Sequence, residues 1–410
     1  MSIRQSDRYF CMKKKPLKPD IKIKPSGTIS LYDKVELMRD AGADIILLAV
    51  GELDIDSPES AKNAGIKAIQ DNFTRYTMTD GIRELRQAVA AYLQKQTNSE
   101  FSENNILITN GCKQATYNLL VSILKKGNEV IIPAPYYTSH PIQVELAGGK
   151  PLLVQTLQKN NYQVSKAALN KKLTSRTKAL LMTSPQNPTG ALYTLATLKE
   201  IADFVIENDL WLISDEIYSG IVYPPSRIES ILKNFPKLKE RMLIANGFSK
   251  SFAMTGWRIG FAAGPEVIIK TASNVHANTT SNVCSISQKA ALACLTAEPD
   301  FSKTFMKELT SKRDYALKIM NSIDGIQCNE PRGAFYLFPN VKSFFGKKFK
   351  SVVMKDSPIL ANYLLMEHGV AIVPGEAFGA PGYIRISYAV NRKMLEQGLA
   401  RIKKGLEQLK

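Results

Sequence analysis

Side chains able to do chemistry cluster directly after apolar segments of strand length. Lys250 follows the segment MLIANGF, and Arg258 comes eight positions later, just before IGFAAG. Asp215 and Tyr218 follow LWLIS, and Asn187 follows KALLMT. In open α/β sheets, ligands bind outside the carboxyl ends of the strands. This placement predicts a single site that combines an amine, a carboxylate and hydrogen-bond donors.

These residue types suit an enzyme that handles carbonyl groups and carboxylates. The amine of Lys250 is a nucleophile toward an aldehyde, and an anion such as Asp215 favours the charged form of a nearby base. Arg385, in the late segment YIRISYA, suits a carboxylate because a guanidinium makes two parallel hydrogen bonds. Taken singly, these residues are typical of a surface amine, a helix cap and a surface ion pair. The prediction therefore depends on their combination.

The segment NGFSKSFAMTGWRIGF, residues 246–261, resembles the cofactor-lysine signature of the class I/II aminotransferases, which are pyridoxal-phosphate enzymes of fold type I. The matching positions are Gly247, Phe248, Ser249, Lys250, Ala253, Met254, Gly256, Arg258, Ile259 and Gly260. The resemblance runs in collinear order from about residue 25 to the C-terminus. It is closest to the prokaryotic-type aspartate aminotransferases.

The resemblance implies that the cofactor is pyridoxal 5'-phosphate and assigns residues to its ring. Lys250 forms the Schiff base, and Asp215 pairs with the pyridinium nitrogen. Tyr218 and Asn187 hydrogen-bond the phenolic oxygen, and Tyr137 stacks on the ring. Lys250, Asp215 and Tyr218 are thus the predicted catalytic residues. Lys250 would also move the proton between the substrate α-carbon and the cofactor in a ping-pong reaction.

A second set of residues is predicted to hold the phosphate. The segment TNGCKQA opens a helix, where free backbone N–H groups bind phosphate. By resemblance the set comprises Gly111, Cys112, Lys113, Ser249 and Arg258, with Tyr76 reaching in from a neighbouring subunit. The segment TTSN near Ser281 resembles another contribution across that interface, which implies a homodimer with shared active sites. Cys112 departs from the glycine or other small residue that is usual in relatives.

Substrate binding is predicted for Gly51, Tyr137, Asn187 and Arg385, with Arg385 holding the α-carboxylate. Two further departures are Leu53 for the usual proline and Gln186 for the usual asparagine. The expected donor is an L-amino acid, with aspartate favoured, and the acceptor is 2-oxoglutarate.

The preference for aspartate depends on which residue binds its second carboxylate. The classical aspartate subgroup carries an arginine just before the segment that matches TTSN, and the stretch SNVHANTTSN has none. Lys113, Ser26 and Thr28 are the candidates to meet a second carboxylate. Aromatic, alanine or prephenate transamination is the alternative, as is a fold-type-I C–S lyase. A basic nucleic-acid-binding module is a third possibility outside enzymes.

The length of 410 residues exceeds what one hydrophobic core supports, which is about 250–300 residues. The predicted fold is α/β: a large domain with a mostly parallel sheet flanked by helices, plus a smaller α/β domain. The domains are an N-terminal arm at 1–25, part of the small domain at 26–56, a large cofactor-binding domain at 57–300 and a small C-terminal domain at 301–410.

The alternation of apolar strands with helical segments carries the fold prediction. Helices are predicted at 32–41, 58–71, within RELRQAVAAYLQKQ and KQATYNLLVSILK, and from about residue 300. Strands are predicted within IILLAV, NILIT, EVIIPAP, KALLMTSP, LWLISDE, MLIANGF and IGFAAG. Continuous apolar runs of this kind are typical of parallel strands buried on both faces.

Composition excludes several other classes of protein. The five cysteines are widely spaced without a CxxC pair, so neither a disulfide framework nor a metal site is expected. The net charge of +17 comes from dispersed lysines, with no basic run interleaved with aromatics that would indicate nucleic-acid binding. Apolar stretches are too short to span a membrane, and no signal-peptide pattern is present. A cytoplasmic location is therefore expected.

Overall fold

The computed structural model describes residues 27–410, with side chains from residue 30 onward. The predicted arm at 1–25 and Ser26 lie outside the described residues. The α-helices of the described part are α1 Gly27–Asp40, α2 Glu59–Gln70, α3 Arg83–Thr97, α4 Cys112–Ile123, α5 Ser139–Leu146, α6 Lys166–Asn170, α7 Leu195–Glu207, α8 Ile231–Asn234, α9 Glu266–Thr279, α10 Ser285–Ala297, α11 Ser302–Asn321, α12 Ser357–His368 and α13 Arg392–Glu407.

The strands alternate with these helices along most of the described chain. They are β1 Ile46–Leu47, β2 Ile106–Thr109, β3 Glu129–Ala134, β4 Lys150–Gln155, β5 Thr177–Thr183, β6 Trp211–Asp215, β7 Met242–Gly247, β8 Gly260–Ala263, β9 Tyr336–Leu337, β10 Lys348–Phe349, β11 Val352–Val353, β12 Val370–Ala371, β13 Val373–Pro374 and β14 Ile384–Ser387.

Seven of these strands form the central sheet, in the order β2-β8-β7-β6-β5-β3-β4. The pairs from β7 to β4 are parallel, whereas β8 runs antiparallel to both β2 and β7. Helices cover both faces, so inner strands such as β6 carry apolar residues on both sides. The predicted mostly parallel α/β fold is confirmed.

Two segments differ from the sequence prediction in their details. The segment KPLLVQ, which was not predicted as a strand, forms edge strand β4 because it pairs with β3 over six residues. Of the predicted strand IILLAV, only β1 is regular, and it pairs in parallel with β12 near the C-terminus. That pairing supports grouping 26–56 with the C-terminal domain, whose boundaries stay a prediction.

The C-terminal part places a short three-stranded sheet next to the carboxyl ends of the central strands. Strand β14 pairs antiparallel with β9 and with β13. Tyr336 of β9 pairs with Ser387 of β14, and Arg385 lies two residues along β14 on the same face. This register brings an arginine and a tyrosine of the C-terminal part together beside the sheet.

Gly369 links α12 to β12 and gives a test of the β1–β12 junction. It has φ +60°, and a Cβ there would lie 2.5 Å from the carbonyl oxygen of Asp44. We expect Gly369→Ala to lower the free energy of unfolding by about 2–4 kcal/mol, from left-handed strain plus a backbone clash.

Gly346→Ala is the matched control, because Gly346 also has positive φ but a Cβ there would have no atom within 4 Å. Its expected cost is only about 1–2 kcal/mol from the strain. Urea unfolding followed by circular dichroism measures both variants. An equal loss in the two would contradict the clash at Asp44.

Candidate active site

A cavity of about 430 Å³ opens at the carboxyl ends of β5, β6 and β7. The loop after β1 and strands β9 and β14 close its other side. It is lined by Tyr32, Val50, Gly51, Glu52, Cys112, Lys113, Thr116, Tyr137, His140, Gln143, Thr183, Asn187, Asp215, Ile217, Tyr218, Ser249, Lys250, Thr255, Arg258, Tyr336 and Arg385. Eleven residues predicted from the sequence are among them, namely Gly51, Cys112, Lys113, Tyr137, Asn187, Asp215, Tyr218, Ser249, Lys250, Arg258 and Arg385.

Lys250 occupies the turn that follows β7. Its Nζ donates a hydrogen bond to the carbonyl oxygen of Gly51 at 2.5 Å. Burial lowers the pKa of this amine to about 8, the charge of Glu52 opposes that shift, and the charges of Arg258 and Arg385 reinforce it. Near neutral pH, the lowered pKa therefore gives Lys250 a much larger neutral, and thus nucleophilic, fraction than an ordinary lysine has.

Asp215 ends β6 and is only 4% exposed. The backbone N–H of Ile217 donates to its Oδ1 at 3.1 Å. His140 Nε2 lies 3.1 Å from Oδ2, and it is the donor because an ionised carboxylate only accepts. A buried carboxylate needs such partners, since burial of an unpaired charge is costly. The arrangement suits a carboxylate that pairs with a cationic ring nitrogen.

His140 is a site residue that the sequence analysis did not identify. It lies near the start of α5, three residues after Tyr137, and their rings meet edge to face at 5.3 Å. The available signal was its position in the segment APYYTSH, which follows β3 at the same sheet edge. The chain has three histidines, so a histidine directly after a central strand was a candidate.

Cys112, which departs from the family pattern, contacts the same carboxylate. Its Sγ donates to Asp215 Oδ1 at 3.3 Å. Burial, followed by the charge of Asp215, raises the pKa of the thiol well above its ordinary value. Cys112 is therefore a neutral donor here, and its backbone N–H stays at the first turn of α4.

Close backbone approaches shape the predicted phosphate cradle at the N-terminus of α4. A Cβ on Gly111 would lie 2.8 Å from Arg258 Nη2, and one on Gly260 would lie 2.6 Å from the backbone nitrogen of Cys112. Arg258 is held by the carbonyl oxygens of Thr255 and Asn110, at 2.9 and 3.3 Å. Glycine at both positions thus allows an arginine to approach the free N–H groups of a helix start.

Arg385 is 2% exposed and is held against both the large sheet and the loop after β1. Its Nη1 donates to Asn187 Oδ1 at 3.0 Å and its Nη2 to the carbonyl oxygen of Ala49 at 2.5 Å. Its Nε is buried with no hydrogen-bond partner within residues 27–410. A guanidinium has five N–H donors, so several remain for a ligand carboxylate.

Of the remaining predicted residues, Tyr218 and Lys113 line the cavity, whereas Gly111 and Tyr76 do not. The hydroxyl of Tyr218 lies 2.7 Å from that of Tyr336, a second residue that the sequence analysis missed. Lys113 lines the cavity with its ammonium 5.9 Å from the ring centroid of Tyr137. Gly111 supports the cradle without lining the cavity. Tyr76 lies outside it and is 91% exposed, so the single chain does not bring it to the site.

The described residues contain neither a metal-binding group of side chains nor a membrane-spanning helix. No group of three or more histidine, cysteine, aspartate or glutamate side chains in residues 27–410 is placed to hold a metal ion. In the same part of the chain, no helix has the length and apolarity needed to cross a membrane.

Comparison with known proteins decides the family. The family "Aminotransferase class I and II" matches residues 43–402. The chain is 41% identical to a probable aspartate/prephenate aminotransferase of Rickettsia conorii, over 94% of this chain and 96% of the relative. It is 38% identical to aspartate aminotransferase of Bacillus subtilis, over 93% and 96%. The chain belongs to the class I and II aminotransferases.

The three-dimensional comparison agrees with this aminotransferase family. The crystal structure of the aspartate aminotransferase from Rhizobium meliloti superposes with a TM-score of 0.91 at 36% identity, covering 95% of this chain and 98% of that one. The predicted fold type I is therefore confirmed. A nucleic-acid-binding module is not supported, because the relatives that align over nearly the whole chain are enzymes.

Pyridoxal phosphate is the cofactor of this aminotransferase family, and the site fits it. The cavity combines a lysine amine of lowered pKa, a buried carboxylate with three donors and an aromatic ring, Tyr137. The glycine-lined approach of Arg258 to the start of α4 suits a phosphate. The donor set thus matches the amine-reactive, cationic and anionic parts of that group.

The lowered pKa of Lys250 predicts how the apoenzyme takes up its cofactor. The rate of Schiff-base formation should follow the neutral fraction of the amine, with a midpoint near pH 8 instead of near the ordinary value of 10.5. Stopped-flow growth of the visible band after mixing with pyridoxal phosphate measures this profile.

Glu52→Gln provides the directional control for that profile. The charge of Glu52 raises the pKa of Lys250, so its removal should move the midpoint to lower pH. A midpoint near 10.5 in the wild type, or an upward move in Glu52→Gln, would contradict the environment described for Lys250.

Proposed function

We propose that this aminotransferase moves the amino group between L-aspartate and 2-oxoglutarate. The observation that carries the proposal is the buried guanidinium of Arg385, which faces the cavity with unused donors while Asn187 and Ala49 hold it in place. Such a guanidinium suits the α-carboxylate that every amino-acid substrate carries. The names of the relatives from Bacillus subtilis and Rhizobium meliloti support aspartate.

Five residues of the cavity then have roles in the reaction. When bound, pyridoxal phosphate accepts the amino group and the electron pair of the substrate α-carbon. Lys250 holds the cofactor and, once freed, moves the proton at the α-carbon, for which a pKa of about 8 is well matched. Asp215 holds the proton on the ring nitrogen. Tyr218 and Asn187 donate to the phenolic oxygen, and Tyr137 covers one ring face.

Lys113 is the proposed partner of the second carboxylate of aspartate. Its side chain lies at the cavity wall beside Tyr137, and no arginine lies in the stretch that serves this purpose in the classical subgroup. A lysine provides a mobile point charge. The other candidates, Ser26 and the side chain of Thr28, lie outside the described part of the chain.

Prephenate transamination is the second candidate function. The relative from Rickettsia conorii bears the name aspartate/prephenate aminotransferase, and prephenate also has a second carboxylate. Aromatic amino acids and alanine lack a second carboxylate and would leave Lys113 without a contact to the substrate. A C–S lyase has no support among the relatives described above.

We also propose a homodimer with shared active sites. Tyr76 and Met78 are large hydrophobic residues with exposed side chains, and the family resemblance places Tyr76 at the phosphate of the neighbouring subunit. The segment around Ser281 would contribute to the same interface. A cytoplasmic location stays a prediction from the sequence.

A spectral scan of single half-reactions tests the proposed function. Aspartate or glutamate should bleach the visible band of the bound cofactor in a stopped-flow experiment, and 2-oxoglutarate should restore it. Lys250→Ala should lack the band and lose transamination by at least about 10³-fold, since both the covalent link and the proton transfer are removed.

The ranking of bleaching rates among amino acids distinguishes the candidates. Fast bleaching by aspartate and glutamate, with slow bleaching by alanine and phenylalanine, supports the proposal, and reaction of prephenate with the aminated form supports dual activity. Release of pyruvate and ammonia without an oxo acid would instead establish a lyase. Near-native turnover by Lys250→Ala would refute the assignment of the cofactor lysine.

A substitution at Lys113 tests the second carboxylate contact. Lys113→Met should lower kcat/KM for aspartate by about 10–100-fold, the effect of losing a hydrogen bond to a charged group. Activity with alanine or phenylalanine should change by less than about threefold, because these substrates lack the second carboxylate. An equal loss for all donors would assign Lys113 to the cofactor phosphate instead.

A further inference from the structure

Tyr336 lies in the cavity between the residues proposed for the cofactor and those proposed for the substrate. It is the first residue of β9, is 1% exposed, and lines the cavity beside Tyr218 and Arg385. The family resemblance assigned no role to Tyr336. Its two ends contact different partners, so it can connect them.

The hydroxyl end of Tyr336 contacts the cofactor side of the site. It lies 2.7 Å from the hydroxyl of Tyr218, and either atom can be the donor in that bond. The rings of the two tyrosines meet edge to face at 5.8 Å. This packing holds the hydroxyls in hydrogen-bond contact within a buried region.

The ring of Tyr336 contacts the substrate side of the site. The guanidinium of Arg385 lies over this ring, 4.4 Å from the centroid, as the register of β9 and β14 requires. A second ring, that of Phe378, lies 4.9 Å from the same guanidinium. These contacts keep the plane of Arg385 fixed.

The position of Arg385 favours one direction for the hydrogen bond between the two hydroxyls. Each tyrosine hydroxyl has one proton to give. A cation over the ring of Tyr336 makes that phenol the better donor, because it stabilises the negative charge that develops on the oxygen. With Tyr336 as the donor to Tyr218, the proton of Tyr218 would stay available to another acceptor.

We propose that Tyr336 is a positioning residue that directs the Tyr218 proton toward the phenolic oxygen of the cofactor and holds the guanidinium of Arg385. This inference rests on the roles proposed above for Tyr218 and Arg385. It makes Tyr336 the direct physical link between the group that binds the substrate carboxylate and a group that adjusts the cofactor ring.

Gly51 provides independent evidence that the hydroxyl of Tyr336 has a fixed place. A Cβ at residue 51 would lie 2.1 Å from the Tyr336 hydroxyl oxygen, but 3.3 Å from its Cζ. The carbonyl oxygen of Gly51 accepts the hydrogen bond from Lys250 Nζ. The absence of a side chain at residue 51 thus makes room for this hydroxyl group next to the lysine amine.

The first test compares Tyr336→Phe with Tyr363→Phe in the holoenzyme. Tyr363 is a matched control, because its buried hydroxyl donates to the carbonyl oxygen of Gly405 in the C-terminal part, away from the cavity. The readout is the pH midpoint of the visible cofactor band, which reports the proton on the Lys250–cofactor link.

We expect Tyr336→Phe to raise this midpoint by roughly 0.5 on the pH scale. Without the donation from Tyr336, Tyr218 becomes a weaker donor to the phenolic oxygen, whose charge then holds the link proton more tightly. Tyr363→Phe should leave the midpoint unchanged. An unchanged midpoint in Tyr336→Phe, with an increase in Tyr218→Phe, would refute the effect of Tyr336 on the Tyr218 proton and leave the role of Tyr218 intact.

If Tyr218→Phe also leaves the midpoint unchanged, the proposed role of Tyr218 fails first. A split between KM and kcat then tests the contact with Arg385. Tyr336→Phe keeps the ring, so kcat should fall roughly three- to tenfold with little change in KM. Tyr336→Leu removes the ring and should also raise KM for the amino acid. Equal KM values in the two variants would refute the guanidinium contact.

A double substitution tests the placement of the hydroxyl without measuring activity. Gly51→Ala should weaken the binding of pyridoxal phosphate to the apoenzyme and lower the melting temperature, because the new methyl group meets the Tyr336 hydroxyl. Gly51→Ala combined with Tyr336→Phe should recover most of both losses. No recovery in the double variant would place the hydroxyl elsewhere and overturn the inference.

Discussion

A buried carboxylate at the end of a central strand constrains the architecture of this active site. Asp215 is stable there only with donors from several elements, since an unpaired buried charge is costly. Strand β6 brings the carboxylate, α5 brings His140, and α4 brings the thiol of Cys112. The start of α4 is also the proposed phosphate cradle. The partners of Asp215 therefore connect the residues that would hold the cofactor ring with those that would hold its phosphate.

The opposite wall of the cavity comes from segments that are far apart in sequence. The loop after β1 provides the carbonyl oxygens that receive Lys250 and Arg385, and β14 provides Arg385 itself. Parallel pairing of β1 with β12 holds that loop against the C-terminal part. Burial, reinforced by two cations near the amine, lowers the pKa of Lys250 to about 8. The arginine proposed to bind the substrate carboxylate thus also favours the neutral form of the amine.

The resemblance to a long signature predicted the lysine and its immediate neighbours together, because those residues are contiguous in the chain. The long helices and the apolar strands of the sheet were predictable because each has a strong local pattern. Strand β4 was missed because its residues are half exposed at a sheet edge. The pairing of β1 with β12 joins segments over 300 residues apart, and no local pattern indicates it.

The amino-acid sequence by itself determined the α/β class and the aminotransferase family, and it predicted Lys250 as the cofactor lysine together with the residue types that surround it. Only the tertiary structure decided how these residues act on each other. The thiol of Cys112 acquires its role as a donor by lying beside Asp215, and His140 becomes a site residue in the same way. Tyr336 meets Tyr218 and Arg385 through strand register. Hydrogen bonds and charge effects depend on distances across the fold, which the order of residues does not state.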